Sequence, residues 1–228
     1  MALILSLETS TDICSVALHK EGVLLSEQTI QEEGAHSKML PQLIEDVMKE
    51  GGYQLKDLSA VAVSGGPGSY TGLRIGASTA KGLAFALEIP LISVDTLQAM
   101  AVQAWRQNPN AIVVSMLDAR RMEVFREVFG PSGEVLEPIA AEILDENSFS
   151  SWISRTELFF VGNANQKAKE VITSSRAIFL DVFPNASSVG EIAWGKYQKE
   201  DFEDVAYFTP NYLKEFRLLK SKKNPFAL

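Results

Sequence analysis

Few residues of this chain have the types and spacing that chemistry needs. In 228 residues there are two histidines, His19 and His36, and one cysteine, Cys14. Neither histidine has a second His, a Cys or a carboxylate at ligand spacing, so no transition-metal centre is expected. His36 precedes Ser37, the residue types of nucleophilic catalysis. Sequence neighbours rarely face one another, however, and no third orienting residue is evident. His36 therefore reads as a helix-entry residue. Cys14 falls on the apolar face of a strand, where a thiol is packing rather than a nucleophile. Asp118 and Arg120 could form an active pair, but an exposed ion pair in a hairpin turn is the commoner arrangement.

The stronger signal is polar and glycine-rich. One turn reads Glu8, Thr9, Ser10, Thr11; another reads Gly65, Gly66, Pro67, Gly68. The second lies between a buried strand, Ala60 to Ser64, and a helix from about Thr71 to Leu87. Its glycines let the backbone take positive φ and approach another group closely. A helix N-terminus after such a turn attracts anions. Neither the spacing G-x-x-x-x-G-K-[ST] nor G-x-G-x-x-G is present, and Lys81 lies deep in the helix. Glu8, Thr9, Ser10, Thr11, Gly65, Gly66 and Gly68 are thus candidate phosphate contacts, weighed against a tight connection that binds nothing.

The elements that must position these turns can be read along the chain. Ala2 to Leu7 is a short apolar run, as a buried strand gives. Cys14 to His19 alternates, and Val23 to Ile30 follows after a Lys20-Glu21-Gly22 turn, which makes an antiparallel meander. A helix is predicted from Ser37 to Glu50, with Ser37 as its cap, Pro41 in its first turn and Gly51-Gly52 at its end. After the central strand, turn and helix come a strand, Leu91 to Val94, and a helix capped by Asp95 with Gln98. The order is βββαβαβα. Asn108-Pro109-Asn110 is the best boundary, giving lobes of 1–107 and 108–228. The second lobe offers strands at Ala111–Leu117, Met122–Phe129, Leu158–Val161 and Ala177–Phe183, with helices near Asn147–Ser154 and Ser187–Gln198. Thr209 to Phe216 reads as a docked strip, followed by a basic tail at Lys220 to Lys223. No internal repeat of solenoid period is visible.

Totals narrow the function classes. Hydrophobic residues make up 46% and charged residues 22%, as in a globular protein. No apolar run is long enough to span a membrane, and the N-terminus lacks the basic segment of a signal peptide. A single cysteine excludes an intrachain disulfide, and a cytoplasmic location is expected. The net charge of −8 argues against broad nucleic-acid binding by the chain alone.

Two helices carry more apolar surface than one sheet contact needs. On the first, Met39, Leu40, Leu43, Ile44, Val47 and Met48 cover half the wheel. On the second, Arg74, Ser78, Lys81 and Phe85 share one narrow sector, and nearly everything else is small or apolar. A partner surface is therefore expected from Met39, Leu40, Leu43 and Val47 with Gly72, Ile75, Gly76, Thr79, Ala80 and Leu83. Side by side, the two helices would supply half of a four-helix bundle. The alternative is that both simply cover their own sheet.

Several of these stretches resemble one family. Leu7-Glu-Thr-Ser-Thr, His36-Ser, Gly66-Pro-Gly-Ser-Tyr-Thr-Gly-Leu-Arg-Ile-Gly, Ala80-Lys-Gly-Leu-Ala-Phe85, Asp118-Ala-Arg120 and Pro210-x-Tyr212-Leu213 are similar to the TsaB (YeaZ) proteins of tRNA threonylcarbamoyladenosine biosynthesis. Lys214 stands where that family commonly has arginine, and 141–188 carries little signal. The resemblance implies an actin-like ATPase fold. It also implies a degenerate, non-catalytic relative that pairs with the catalytic subunit TsaD, works with the ATPase TsaE, and reaches tRNA through that complex. Aligned with TsaD, Thr96 and Met100 replace its two metal-binding histidines. The resemblance implies no cofactor required by this chain, with weak ATP or ADP binding left open. The Gly-Gly turn expected on the adenine side is represented only by Gly162-Asn163. A homodimer is expected when the chain is alone. A free-standing ATPase or small-molecule kinase, and a metallopeptidase, are the alternatives.

Overall fold

The computed structural model describes residues 2–32 and 34–213. Among the described residues, ten strands and six α-helices form two five-stranded sheets with their covering layers. The first sheet contains β1 (Leu3–Glu8), β2 (Ile13–Lys20), β3 (Val23–Gln31), β4 (Ala60–Ser64) and β5 (Leu91–Val94). Helix α1 (His36–Gly51) leads to β4, and α2 (Tyr70–Leu87) joins β4 to β5. After α3 (Thr96–Gln107) comes the second sheet, with β6 (Ile112–Asp118), β7 (Glu123–Phe129), β8 (Val135–Ile143), β9 (Leu158–Val161) and β10 (Ala177–Phe179). Helices α4 (Ser150–Ile153) and α5 (Asn165–Val171) flank β9, and α6 (Ala186–Gln198) follows β10.

The two sheets repeat one topology. Their orders are β3-β2-β1-β4-β5 and β8-β7-β6-β9-β10, each with three antiparallel strands followed by two parallel ones. The βββαβαβα reading of the first half is therefore matched by the second. Neither β8 nor α5 of that second half is expected from the sequence. β8 is an edge strand in which every residue is exposed or half-buried and Glu137, Pro138 and Glu142 break up the apolar ones, so it gives no long apolar run. Helix α5 has seven residues, too few for a helical period to emerge.

β1 is apolar without alternation because both of its faces are covered. Leu3, Leu5 and Leu7 join α1 and α2 in one core cluster. Ile4 points the other way and packs with Val189 and Ala193 of α6. Helix α3 does the converse, setting Leu97, Met100 and Ala104 against Val113, Phe129 and Val161 of the second sheet. The final helix of each half thus covers the other half's sheet. Helices α3 and α6 form a shared middle layer, while α4 and α5 cover the far face of the second sheet.

Of the two N-caps expected from the sequence, Asp95 is present and Ser37 is not, and Ser69 supplies an unexpected one. Ser69 Oγ accepts the Gly72 N–H at 3.3 Å, and Asp95 Oδ1 accepts the Gln98 N–H at 2.8 Å. Ser37 is not the cap of α1. That helix begins one residue earlier, and its flanking residue is Ala35, which offers no side-chain bond. Among the described residues no helix is long and apolar enough to cross a membrane.

Beyond α6 the chain runs back over the first sheet. Glu203 N–H donates to the Leu91 carbonyl at 2.8 Å, and Phe208 is buried in the α1–α2 core. Lys81 Nζ donates to the carbonyls of Ala206 and Phe208 at 3.1 and 3.0 Å. Asn211 N–H donates to the Gly65 carbonyl at 2.7 Å. The docked strip expected from Thr209 is therefore present to Leu213. Its expected continuation to Phe216 and the basic tail at Lys220–Lys223 lie outside the described residues.

Candidate functional site

Two surfaces gather the candidate residues: the cleft between the sheets' turns and the outer face of α2. The cleft has a volume of about 580 Å³. Its first wall is the β1–β2 turn with the β4–α2 turn, through Ser10, Thr11, Gly68 and Ser69. Its second wall comes from the β6–β7 turn, through Asp118 and Arg120, and from Asn163 after β9. Tyr212 of the returning strip closes one side, its ring 4.7 Å from that of Tyr70.

Of the seven candidate phosphate contacts, only Ser10, Thr11 and Gly68 line this cleft. The other four serve the scaffold. Glu8 is fully buried, and its Oε1 accepts the Ser10 N–H at 2.5 Å. Burial pushes its carboxyl above the ordinary range, against the pull of that amide. Thr9 is also fully buried, and its hydroxyl donates to the Gly72 carbonyl at 2.8 Å. Gly65 and Gly66 are buried under the returning strip and the start of α3. Gly66 has φ +103°, and a Cβ there would strike the Asn211 carbonyl. These glycines admit backbone, not a ligand.

The remaining chemical candidates resolve in the same direction. Asp118 forms its ion pair with Lys167 at 3.1 Å, not with the Arg120 guanidinium. Its Oδ1 accepts the Arg120 backbone N–H at 2.6 Å and so caps the turn. His19 is buried against Gly190, and burial pulls its imidazole down to about 4. His36 is buried at the first position of α1. Burial, with Glu8 nearby, pushes the Cys14 thiol up to about 11. Thr96 and Met100 are both fully buried in the interior. Among the described residues no three His, Cys, Asp or Glu side chains converge in a way that could hold a metal.

The α1–α2 face differs from the expected surface. Leu40, Leu43 and Val47 are buried in the chain's own core, and the outward side of α1 is polar with Gln42, Glu45, Asp46 and Lys49. Gly72, Gly76 and Ala80 are also turned inward. The reason is steric: a Cβ on Gly72 would strike the Thr9 carbonyl, and one on Gly76 would strike the Thr9 hydroxyl. Small residues on α2 let it approach β1 and its turn. Met39, Ile75, Thr79 and Leu83 remain half-buried. Phe85 of α2 is 79% exposed, and Tyr207 of the returning strip is 83% exposed. The helical wheel puts Phe85 in the polar sector, where a lone aromatic among Arg74, Ser78 and Lys81 is the available signal. Nothing local in the sequence marks Tyr207.

A model of the family described as "TsaD: tRNA N6-adenosine threonylcarbamoyltransferase" matches residues 24–220. The tRNA threonylcarbamoyladenosine biosynthesis protein TsaB of Haemophilus influenzae is 31% identical over 224 residues, which span 92% of this chain and 93% of that protein. This chain belongs to the TsaB family. The Escherichia coli TsaB is 40% identical over 122 residues, spanning 54% of this chain but only 52% of that protein. Among solved structures, YeaZ from Pseudomonas aeruginosa superposes with a TM-score of 0.81 at 27% identity, covering 93% of this chain and 100% of the other. The ethanolamine utilization protein EutJ of Carboxydothermus hydrogenoformans shares the fold alone, with a TM-score of 0.52 at 8% identity over 84% of this chain and 90% of the other. The fold is the actin-like ATPase fold, and the cleft lies where its two similar halves meet.

Proposed function

We propose that this chain is a non-catalytic activating subunit in the formation of threonylcarbamoyladenosine in tRNA. It pairs with the catalytic TsaD, works with the ATPase TsaE, and acts in the cytoplasm. The observation that carries the reading is the outer face of α2. Ile75, Thr79 and Leu83 stay half-buried along one side of it, and Phe85 stands 79% exposed in the polar sector of the same helix, which Thr9 anchors from beneath. An aromatic side chain so exposed on a rigid helix suits an anchor at a protein interface. The shared family model supports a paralogue as the occupant, since two related halves can present matching helices. Alone, the chain would pair with a second copy through the same face.

The mechanism is conformational. Docking on α2 stabilises the transferase in its competent arrangement, and this chain contributes surface rather than reacting atoms. The test is threonylcarbamoyl transfer to tRNA with the adenylate donor, ATP, TsaD and TsaE, with and without this chain. Transfer that depends on the chain, with none from the chain alone or with TsaE only, is the expected result. Equal transfer in its absence rejects the reading.

A second reading is favoured by the cleft. Ser10, Thr11 and Gly68 face Asn163 across about 580 Å³, room for a nucleotide. Weak ATP or ADP binding there would show as saturable heat in calorimetry, lost in Gly68→Asp; turnover by the isolated chain would point to a free-standing ATPase.

A further inference from the structure

The strip that returns beyond α6 touches both candidate surfaces. Its middle is fastened to α2. Phe208 is buried in the α1–α2 core and serves as a pivot. On either side of Tyr207 the backbone is gripped by Lys81, whose Nζ donates to the carbonyls of Ala206 and Phe208 at 3.1 and 3.0 Å. That ammonium holds backbone rather than a side chain, since among the described residues no carboxylate forms an ion pair with it. Phe85 shares the sector of Lys81 and follows it by about 6 Å along the helix axis. The two most exposed aromatic side chains, Phe85 at 79% and Tyr207 at 83%, therefore border the same lysine.

The far end of the strip belongs to the cleft. Asn211 N–H donates to the Gly65 carbonyl at 2.7 Å, and the Tyr212 ring lies 4.7 Å from that of Tyr70. Arg74 covers the same tyrosine and donates to its hydroxyl at 3.1 Å. A Cβ on Gly66 would strike the Asn211 carbonyl, so turn and strip are fitted to each other. Tyr212 stands in the cleft wall with Ser10, Thr11 and Gly68. Yet Asn211, Tyr212 and Leu213 are exposed or half-buried. A segment held by few buried contacts opens at a lower free energy than the whole fold.

We propose that the strip is a strap linking the outer face of α2 to the cleft, with Lys81 as its clasp. Clasped, it keeps Tyr212 in the cleft wall. Unclasped, residues 209–213 swing away and the cleft loses that wall. A partner that covers Phe85 also meets Tyr207, and so pins the strap and steadies the cleft; this step rests on the pairing with TsaD proposed above. Because coupling is reciprocal, a ligand packed against Tyr212 would in turn favour the docked state.

The test is hydrogen exchange of the full chain, read at the Asn211 and Leu213 amides. Lys81→Met keeps the aliphatic stem and removes the donors. It should speed exchange at both amides about tenfold, as loss of hydrogen bonds from a charged group allows, and leave β1 and α3 at wild-type rates. Lys81→Arg, which keeps donors, should restore most of the protection. A second readout reports on the cleft. In Thr11→Cys, where native Cys14 is 1% exposed and silent, maleimide labelling should quicken when Lys81→Met is added. Circular dichroism of each variant checks that the fold is kept. Wild-type exchange at Asn211 together with unchanged labelling overturns the strap. Saturating TsaD should slow exchange at Asn211 in the wild type but not in Tyr207→Ala, with α2 protected in both. Protection of α2 without slowing at Asn211 overturns the coupling and leaves the pairing standing. If TsaD protects nothing, the pairing reading falls, while the Lys81 series on the chain alone still decides the strap.

Discussion

At the scale of single residues, glycines on α2 do different work from the work their spacing suggests. Gly72 and Gly76 sit against Thr9, so Gly72→Ala should lower stability by about 1–3 kcal/mol through overpacking. Gly82 faces open space on the exposed side of the same helix. Gly82→Ala should stabilise the isolated chain by up to about 1 kcal/mol, the difference in helix propensity. Urea denaturation of the two variants checks both signs. Buried carboxyls give a second residue-scale prediction. Burial, reinforced by Asp95, pushes Glu127 up to about 7, and burial pushes Asp95 up to about 6. The folded state therefore binds protons that the unfolded state has released above about 4.5. Their stabilisation is complete below 3.8 for Asp95 and 4.5 for Glu127, and is lost as pH rises through about 6 and about 7. His19, pulled down to about 4, acts oppositely and loses stability as pH falls from 6.5. Glu127→Gln should therefore remove part of the loss between pH 5 and 7, measured as melting temperature against pH beside the wild type.

At the scale of elements, α1 and α2 have separate tasks. The apolar stripe of α1 is spent on the sheet beneath it, where Leu43 is 6% exposed. Leu43→Asp should unfold the chain, because an unpaired charge would enter the core. Phe85→Asp should leave the melting temperature within the range of a surface change and abolish pairing with TsaD in size-exclusion chromatography. Retained pairing would remove α2 from the interface. Amphipathicity reveals that α1 has a broad apolar face, but not how much of it the first sheet and α2 consume. A helical wheel gives direction relative to an axis and carries no information on the breadth of the layer below.

At the scale of the whole molecule, the crossing helices decide how the halves depend on each other. Without α6, the first sheet would expose Ile4, Ala62, Ile92 and Val94 to water. We expect residues 1–107 alone to lack a cooperative melt, and residues 108–228 supplied in trans to restore one. Independent folding of 1–107 would show that α6 is dispensable to that sheet. The boundary at Asn108 separates the strands of the two sheets, yet the packing runs across it through α3 and α6. The short β8 and α5 follow the same logic. They are placed by neighbouring strands and by a core they only cap, so their own residues show little period.

Local sequence was enough to set the strand–turn–helix at 60–87, the βββαβαβα order, the cap at Asp95, and the family resemblance. Each depends on preferences or motifs read along the chain: period, turn residues and side chains that bond backbone two or three positions away. The packed fold was needed to settle which glycines meet Thr9, that Glu8 and Thr9 turn away from the cleft, that α3 and α6 exchange sheets, and that Tyr207 and Phe85 stand in the open. Those facts depend on contacts between residues far apart in sequence. Burial is a property of what arrives on the other side, and a single strand or helix cannot specify it alone.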